Sequence, residues 1–355
     1  MTKNYKNLIS YVSGCPSTHN KTVRKSKIGV LVVNLGTPDS ADYWGVRKYL
    51  SEFLSDRRVI DINPIKWQII LQGAILSIRP QVVAKAYQSI WNKELNESPL
   101  LTTTRAQAEK LQKKFDENVD DVVVDFAMRY GNPSIDSKMK ALIKAGCRDI
   151  LVMPLYPQYS ATTTATVKDA VNACLKTITH QPNVRILPPY YKKDSYISRL
   201  NNSIQKTLQS IDFKPEKIIA SYHGIPKRYL MQGDPYPCHC AVTSHLLCEK
   251  SGLEITKTFQ SIFGREEWVK PYTEATVIEM AKSGIKNIAM IAPAFSTDCL
   301  ETLEEIQYEI KDAFIENGGE KFAYIPCLND TEDAIDMYFE LAIEEMMGWI
   351  APQKT

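Results

Sequence analysis

Short apolar runs that alternate with helical segments constrain the fold of this chain more than any other feature. The runs occupy residues 28–35, 122–128, 150–155, 184–187, 218–222, 255–259, 288–294 and 322–325. Between them, apolar residues recur at helical spacing. A helix must cross back over a sheet before the next parallel strand begins, so this alternation builds parallel sheets from βαβ units. The sequence predicts an α/β fold, with parallel β-sheets flanked by helices.

The two halves of the chain contain similar segments in the same order. Residues 34–38 (Asn-Leu-Gly-Thr-Pro) match residues 222–226 (Tyr-His-Gly-Ile-Pro). Two further pairs are 129–131 with 262–264 and 145–150 with 283–288. We therefore expect two similar Rossmann-like domains with the active-site cleft between them.

The expected domain limits give each domain one copy of the repeated segments. The first domain spans residues 27–165, the second spans residues 166–330, and a C-terminal helix within 331–355 completes the first domain. Residues 1–26 contain lysines, one arginine and no acid, and we expect a mobile extension there. An organellar transit peptide is less favoured, because the amphipathic pattern is weak.

Composition and motifs exclude several classes of function. The 355 residues carry a net charge of only +2 without a basic stripe, which argues against a nucleic-acid-binding protein. No apolar run approaches the ~20 residues of a membrane span. Glycine-rich phosphate loops and a G-x-S-x-G elbow are also missing from the sequence. Dinucleotide, nucleotide and common hydrolase chemistry therefore lose their main support.

The cysteines indicate a reducing compartment. Eight are spread without a repeating spacing, and we expect reduced thiols in the cytoplasm. One cluster, Cys238-His239-Cys240 with His245 and Cys248, has the residue types of a metal or iron–sulfur site. It lacks paired C-x-x-C spacing, so a metal site there is the less favoured interpretation.

A histidine at the end of a predicted strand is the best candidate for chemistry. His223 follows the apolar run 218–222 and precedes a Gly-x-Pro turn. Ligands of open α/β sheets bind at the carboxyl ends of strands, so this position suits a reactive side chain. A histidine that faces carboxylates can bind a metal ion or take up protons. The simpler alternative is a hydrogen-bonded turn residue.

Three carboxylates downstream are candidates to face this histidine. Asp298, Glu301 and Glu305 have helical spacing, which predicts a common side and a cation to offset their repulsion. Asp298 and Glu301 also have the spacing of a capping box, and for those two residues alone capping is favoured. Capping leaves Glu305 unexplained.

The strongly apolar segment at residues 67–78 allows two interpretations. It is too short to span a membrane, and its periodicity fits a core helix as well as a surface. The functional alternative is an exposed lip, within about residues 64–80, that admits an apolar substrate. In that case Trp67 and the flanking Lys66 and Arg79 would rest on a membrane surface.

A set of motifs, in order along residues 27–355, resembles the ferrochelatase family. They are Asn34-Leu35-Gly36-Thr37-Pro38, Arg129-Tyr130-Gly131, Pro157-Gln158-Tyr159-Ser160, Ser221-Tyr222-His223-Gly224-Ile225-Pro226, Gly233-Asp234-Pro235-Tyr236-Pro237, Phe259-Gln260-Ser261 and Asp298-Cys299-Leu300-Glu301-Thr302-Leu303. The resemblance implies insertion of Fe²⁺ into protoporphyrin IX, which forms protohaem, releases two protons and ends haem biosynthesis. It also implies two similar α/β domains around a cleft.

The resemblance assigns roles to individual residues. His223 and Glu301 resemble the catalytic pair that contacts iron and handles pyrrole protons. Asp298 and Glu305 resemble the start of a proton or metal path. The expected porphyrin contacts are Arg79, Tyr87, Ser98, Arg129 and Trp268; Arg129 fits an interface ion pair equally well, and Trp268 fits a core aromatic.

Departures from mitochondrial relatives set further expectations. Those relatives carry a cluster-ligating cysteine where this chain has Ala161, and a cysteine-rich extension that is missing after Met347, so we expect no [2Fe–2S] cluster of that type. They also have histidine at Cys299. We expect a cytoplasmic monomer with peripheral membrane contact through the lip, and no cofactor beyond substrate iron.

Two alternatives stay open at this point. A coproporphyrin ferrochelatase would act on a porphyrin with two extra propionates and would need additional cations around the cleft. A haem or metal carrier would use the same cleft without turnover. The row of acids argues against a carrier, which has no protons to remove.

Overall fold

A computed structural model describes residues 26–264 and 266–350, so most of the predicted N-terminal extension and residues 351–355 lie outside the described residues. The described chain forms two four-stranded parallel sheets, which confirms the predicted fold class. The strands are β1 (Lys27–Thr37), β2 (Val122–Gly131), β3 (Cys147–Pro154), β4 (Asn183–Ile186), β5 (Lys217–His223), β6 (Ile255–Gln260), β7 (Asn287–Ile291) and β8 (Lys321–Ile325).

Helices cover the faces of both sheets. They are α1 (Tyr43–Ser55), α2 (Pro64–Ile70), α3 (Leu76–Ile90), α4 (Pro99–Asn118), α5 (Ile135–Lys144), α6 (Thr166–Lys176), α7 (Asp194–Ser210), α8 (Lys227–Met231), α9 (Tyr236–Ser251), α10 (Thr273–Lys282), α11 (Lys311–Glu316) and α12 (Glu332–Glu345). Three segments are π-helical: π1 (Leu71–Ile75), π2 (Ala161–Ala165) and π3 (Glu301–Ile310). Such i→i+5 segments are rare and occur often at functional sites.

The two sheets share one strand permutation. Their orders are β2-β1-β3-β4 and β6-β5-β7-β8, which is the structural form of the repeat in the sequence. In each sheet the second strand along the chain pairs with one edge of the first strand, and the third strand pairs with its other edge. The crevices at the carboxyl ends of the β1/β3 and β5/β7 pairs are therefore topological switch points, where ligands of such folds bind.

Continuous burial explains why these strands are apolar runs rather than alternating patterns. Val30, Leu31, Val32 and Val33 of β1 are all essentially inaccessible to solvent. Helices pack on both faces of a parallel sheet, so both sides of the strand need apolar residues. At about 25 cal/mol per Å² of apolar surface, this burial is the main stabilising contribution to each half.

The first sheet extends beyond the expected limit at residue 165. Strand β4 pairs with β3, with Asp149–Val152 opposite Asn183–Ile186, and α6 packs against α5. The C-terminal helix α12 packs against α4, where the rings of Phe115 and Phe339 lie 4.9 Å apart, and also against α7. Residues 166–186 therefore accompany the first sheet in the structure, and α12 contacts helices from both sides of residue 186.

Candidate active site

His223 is the last residue of β5, at the switch point of the second sheet. It is half-buried, and its Nδ1 lies 2.7 Å from the carbonyl oxygen of Gly224. A carbonyl only accepts hydrogen bonds, so Nδ1 carries the proton in this contact. The neutral ring then presents an unprotonated Nε2, which can accept a proton or coordinate a metal ion.

Gly224 and Trp268 hold the histidine turn in place. The Gly224 N–H donates to the Gln260 carbonyl at 2.8 Å, and a Cβ on Gly224 would lie 2.9 Å from that oxygen and 3.1 Å from the Trp268 ring. Trp268 is buried and forms a β-bridge with Pro226. The structure therefore places this predicted porphyrin contact beneath the His223 turn, where it fixes the backbone.

Glu301 opens π3 on the segment that follows β7, the neighbour of β5 in the sheet. The expected capping box does not form, because Asp298 accepts a hydrogen bond from the Thr302 hydroxyl at 3.1 Å and not from a backbone N–H of the first turn. Within residues 26–264 and 266–350, no N–H or O–H donates a hydrogen bond to the Glu301 carboxylate. Burial, followed by the charge of Glu301, raises the pKa of the adjacent Cys299 thiol.

Tyr87 and Leu300 connect the two halves beside Glu301. Tyr87 of α3 is buried, and burial, followed by the charge of Glu301, raises the pKa of its phenol. Leu300 packs into an apolar cluster with Tyr87, Val46 and Ala84 from the first half. The structure therefore brings Tyr87, a predicted porphyrin contact, close to Glu301.

Asp298 and Glu305 are held in two separate hydrogen-bond networks. Asp298 accepts from Tyr324 Oη at 2.6 Å and from Asn329 Nδ2 at 2.7 Å, in addition to Thr302. The carboxylate of Glu305 accepts hydrogen bonds from the β6 side, namely from Ser261 N at 2.6 Å, Ser261 Oγ at 2.5 Å and Gln260 Nε2 at 3.0 Å. In the described part of the chain, no three His, Cys, Asp or Glu residues form a group that could hold a metal ion.

Two further acids lie on π3. Burial and then neighbouring carboxylates, including those of Glu305 and Glu301, raise the pKa of Glu304. Burial followed by Glu305 and Glu274 raises the pKa of Glu309. Both shifts favour proton uptake at these two acids. Their spacing on the helix was visible in the sequence, but their role was not predicted.

The other predicted porphyrin contacts have protein partners of their own. The Arg79 guanidinium lies 4.2 Å from the centre of the Phe263 ring, so it spans the two halves. Arg129 pairs with Asp56, a largely buried ion pair within the first half. Ser98 is buried, and its Oγ accepts from Leu101 N at 3.2 Å, which makes it the N-cap of α4.

Comparison with known proteins gives a single result across almost the whole chain. The family model described as Ferrochelatase matches residues 27–346. The chain belongs to the ferrochelatase family. The ferrochelatase of Bradyrhizobium sp. (strain BTAi1) is 52% identical over 328 residues, 92% of this chain and 93% of that protein. The ferrochelatase of Rhizobium johnstonii is 52% identical over 338 residues, 94% of this chain and 98% of that protein.

A solved structure of a different chelatase has the same fold. SirB from Bacillus subtilis, solved with Fe³⁺, superposes with a TM-score of 0.55 at 12% identity and covers 91% of this chain and 97% of its own. At that identity the likeness concerns the fold alone. It confirms the two-domain architecture predicted from the repeat.

Family membership confirms the predicted class of reaction. The protein is a metal-inserting chelatase of haem biosynthesis, with ferrous iron and a porphyrin as substrates and haem as product. A carrier without turnover is therefore no longer an alternative.

The predicted lip is exposed, but Trp67 is not part of its surface. Ile65, Ile69 and Ile78 are each about 70% exposed. Trp67 is only 8% exposed, and its Nε1 donates to the Leu54 carbonyl at 2.7 Å, so the expectation of a membrane-facing tryptophan is wrong. The indole lies on the inner side of an amphipathic helix, where its N–H requires a partner. None of the described helices is both long and apolar enough to cross a bilayer.

The cysteine cluster does not converge in the described residues. Cys240 is completely buried within α9, whereas Cys238 is exposed. His239 Nδ1 accepts from Tyr159 N at 3.2 Å, and its ring stacks on Tyr191 at 3.8 Å. His239 therefore serves as a contact between segments, and a metal site at this cluster gains no support.

Proposed function

We propose that this ferrochelatase inserts Fe²⁺ into protoporphyrin IX, with His223 and Glu301 as the residues that carry the chemistry. The supporting observation is the placement of His223 at the β5/β7 switch point, with Nδ1 against the Gly224 carbonyl, so that Nε2 is the nitrogen that can accept a proton. Glu301 follows the neighbouring strand β7, and no N–H or O–H of residues 26–264 and 266–350 donates a hydrogen bond to its carboxylate. A base and a free carboxylate at one switch point fit a reaction that exchanges protons for a cation.

The proposed chemistry balances as an exchange of one cation for two protons. Each of two pyrrole N–H groups loses its proton, and four porphyrin nitrogens then bind Fe²⁺. His223 accepts a proton at Nε2, because Nδ1 is held by Gly224. Glu301 offers a carboxylate that attracts the incoming Fe²⁺ or receives the second proton.

We propose that protons or iron travel along π3 beyond Glu301. Glu305 lies one turn further, and the pKa values of Glu304 and Glu309 are raised by burial and by neighbouring carboxylates, which favours proton uptake at these two acids. Asp298 remains a candidate member of this path, although its carboxylate is already bound by Tyr324, Thr302 and Asn329.

The porphyrin contacts remain proposals of unequal support. Tyr87 has the strongest support, because its phenol is buried beside Glu301. Arg79 is exposed on the lip and offers a cation for a propionate. Arg129 and Ser98 already have protein partners, and Trp268 supports the His223 turn. These three therefore act on the porphyrin through the shape of the cleft.

The finer expectations about substrate, surroundings and assembly are also part of the proposal. Protoporphyrin IX is favoured over coproporphyrin, whose extra propionates need more cations at the cleft. The exposed isoleucines of the lip support peripheral contact with a membrane. Ala161 in place of a cysteine supports the expectation of no mitochondrial-type [2Fe–2S] cluster. A monomeric state and a cytoplasmic location stay predictions.

Anaerobic turnover with Fe²⁺ tests the proposal. Purified protein is given protoporphyrin IX or coproporphyrin, and the change from free-base to metalloporphyrin absorbance is followed. His223→Ala should lose at least about 100-fold in kcat while it still binds porphyrin. His245→Ala is the control, because His245 is an exposed histidine of α9. Full turnover by His223→Ala would remove its assigned role, and faster turnover of coproporphyrin would correct the substrate.

A further inference from the structure

Asn329 has all of its polar groups engaged in the loop between β8 and α12. Its backbone is left-handed, with φ of +51°. Its N–H donates to the Ser296 carbonyl at 3.0 Å. Its side chain pairs with Asp298 at two points: Oδ1 accepts from Asp298 N at 2.8 Å, and Nδ2 donates to Asp298 Oδ2 at 2.7 Å. A single side chain therefore fixes both the backbone and the carboxylate of Asp298.

The same residue is bound by the first half of the molecule. Gln107 of α4 is completely buried, and its Nε2 donates to the Asn329 carbonyl at 2.7 Å and to Thr297 Oγ1 at 3.0 Å. Asn34, near the end of β1, donates to the same Thr297 hydroxyl at 3.3 Å. Buried amides of the first half thus hold the loop that leads to π3.

The other end of the network reaches the backbone on either side of Glu301, the proposed catalytic residue. Asp298 Oδ1 accepts from Thr302 Oγ1 at 3.1 Å, and Thr302 Oγ1 accepts from Cys299 N at 3.0 Å. Thr302 lies in the first turn of π3, directly after Glu301. A displacement of Asp298 is therefore transmitted to the backbone that carries Glu301.

We propose that Asn329 is a positioning residue for metal insertion. Its side chain holds Asp298 through two hydrogen bonds, and its carbonyl accepts a hydrogen bond from Gln107 of the first half. These contacts fix the position of the first turn of π3, so the placement of Glu301 depends on contact between the two halves. The proposal rests on the role assigned to Glu301 above. Productive insertion requires the reacting groups to be held within a fraction of an ångström, so loosening this clamp lowers kcat.

The left-handed backbone alone does not account for the arrangement. Glycine adopts a positive φ without strain, so a turn that only needed this backbone would be served by glycine. The asparagine side chain supplies two hydrogen bonds to Asp298 that glycine lacks. Asn329→Gly therefore keeps the turn and removes the clamp.

The test compares Asn329→Gly with Asp121→Gly. Asp121 is exposed, has φ of +59° and lies at the opposite end of β2 from the cleft. We expect Asn329→Gly to lower kcat at least tenfold while the porphyrin Kd, measured by fluorescence quenching, stays within twofold of the unmodified protein. Asp121→Gly should leave kcat and Kd unchanged.

A second variant keeps the test decisive if Asn329→Gly folds poorly. Gln107→Ala leaves the Asn329–Asp298 pair intact and removes its anchor on α4, so it should lower kcat several-fold. The two substitutions should combine with less than additive effect, because they act through one chain of contacts. Normal kcat per porphyrin-binding site in both variants would overturn the proposal.

The turnover of Glu301→Gln is measured in parallel, so that a failure of the proposed catalytic role of Glu301 can be distinguished from a failure of the positioning role of Asn329. If Glu301→Gln retains full turnover, the proposed function loses its carboxylate, whatever Asn329 does. If Glu301→Gln is inactive while Asn329→Gly and Gln107→Ala turn over normally, only the positioning role of Asn329 is contradicted.

Discussion

The first strand of each sheet leads into a Gly-x-Pro segment, but only the segment of the second sheet follows a proposed catalytic side chain. A glycine follows Leu35 in the first half and His223 in the second, and both glycines lie against the neighbouring strand. The π segments repeat this contrast, because π2 begins at Ala161 and π3 begins at Glu301. The backbone thus offers two equivalent switch points, and the two proposed catalytic side chains lie at only one of them.

The first half contributes walls and support to the site of the second. Leu300 packs in one apolar cluster with Tyr87 and Val46 of the first half, and Gln107 donates a hydrogen bond to the Asn329 carbonyl. A duplicated fold therefore does not imply duplicated sites, since one crevice can hold reactive groups while the other supplies the contacts that place them. The following experiments test this division between chemistry and support.

The largest loss of turnover is expected when the charge of Glu301 is removed. Glu301 is the first residue of π3, whereas π2 begins with Ala161. Glu301→Gln keeps the shape of the side chain and removes its charge, so kcat should fall by about 100-fold or more. The stability of the variant should change by less than about 0.5 kcal/mol, because no N–H or O–H of the described residues donates to the Glu301 carboxylate. Turnover and urea unfolding measure the two effects.

Glu305→Gln is the matched control on the same helix. The Glu305 carboxylate accepts hydrogen bonds from Ser261 and Gln260, so removal of its charge should cost about 1–3 kcal/mol of stability. A smaller loss of turnover per folded molecule is expected than for Glu301→Gln. Equal losses of turnover in the two variants would contradict a special role for Glu301.

The paired glycines give the next largest effect and separate stability from activity. A Cβ on Gly36 would lie 1.8 Å from the Tyr130 carbonyl oxygen at φ of +116°, whereas a Cβ on Gly224 would lie 2.9 Å from the Gln260 oxygen. Gly36→Ala should therefore cost about 4 kcal/mol, and Gly224→Ala about 1–3 kcal/mol.

Turnover per folded molecule should rank these two variants in the opposite order. Gly224→Ala pushes on the turn that carries His223, and a displacement well under 1 Å is enough to reduce kcat. Gly36→Ala disturbs the end of β1 in the half that holds no proposed catalytic residue. If Gly36→Ala instead lowers turnover per folded molecule more, the proposed division between the halves is wrong.

Sequence patterns predicted the strands well and the details of the site poorly. The apolar run 28–35 lies within β1, because a strand buried on both faces leaves a continuous signal. The run 288–294 overran β7, which ends at Ile291, because Pro293 cannot continue the ladder. His223 was recognisable because a histidine between an apolar strand and a Gly-x-Pro turn is unusual.

The errors and omissions also have physical reasons. The capping box at Asp298 was wrong, because a side-chain hydroxyl at Thr302 took the bond expected of a backbone N–H. Trp67 was placed outside, because periodicity does not tell which face of a lip helix packs inward. The contacts of Asn329 with Asp298 were not predicted, because they depend on β8 lying beside β7, which only the sheet order reveals.

The smallest effect is expected from a substitution of His239. Its Nδ1, in the second half, accepts a hydrogen bond from the backbone N–H of Tyr159 in the first half. Burial lowers the pKa of His239 below its ordinary value of 6.5. Between the lowered pKa of the folded chain and the ordinary pKa of the unfolded chain, the unfolded chain binds more protons. The stability of the folded state therefore falls as pH decreases below 6.5. Protonation also removes the Nδ1 acceptor that Tyr159 needs.

His239→Asn offers an amide oxygen in place of Nδ1 and removes the titration. Because the imidazole is partly exposed, solvent screens the effect, and the melting temperature should differ by only about 1–2 °C. Melting curves at pH 7.5 and 5.5 measure it: the drop on acidification should be smaller in His239→Asn than in the unmodified protein. His245→Asn, on the exposed side of the same helix, should retain the full drop. Identical drops in all three proteins would show that protonation of His239 does not weaken the folded state, so that its contact with Tyr159 is not the pH-sensitive link between the halves.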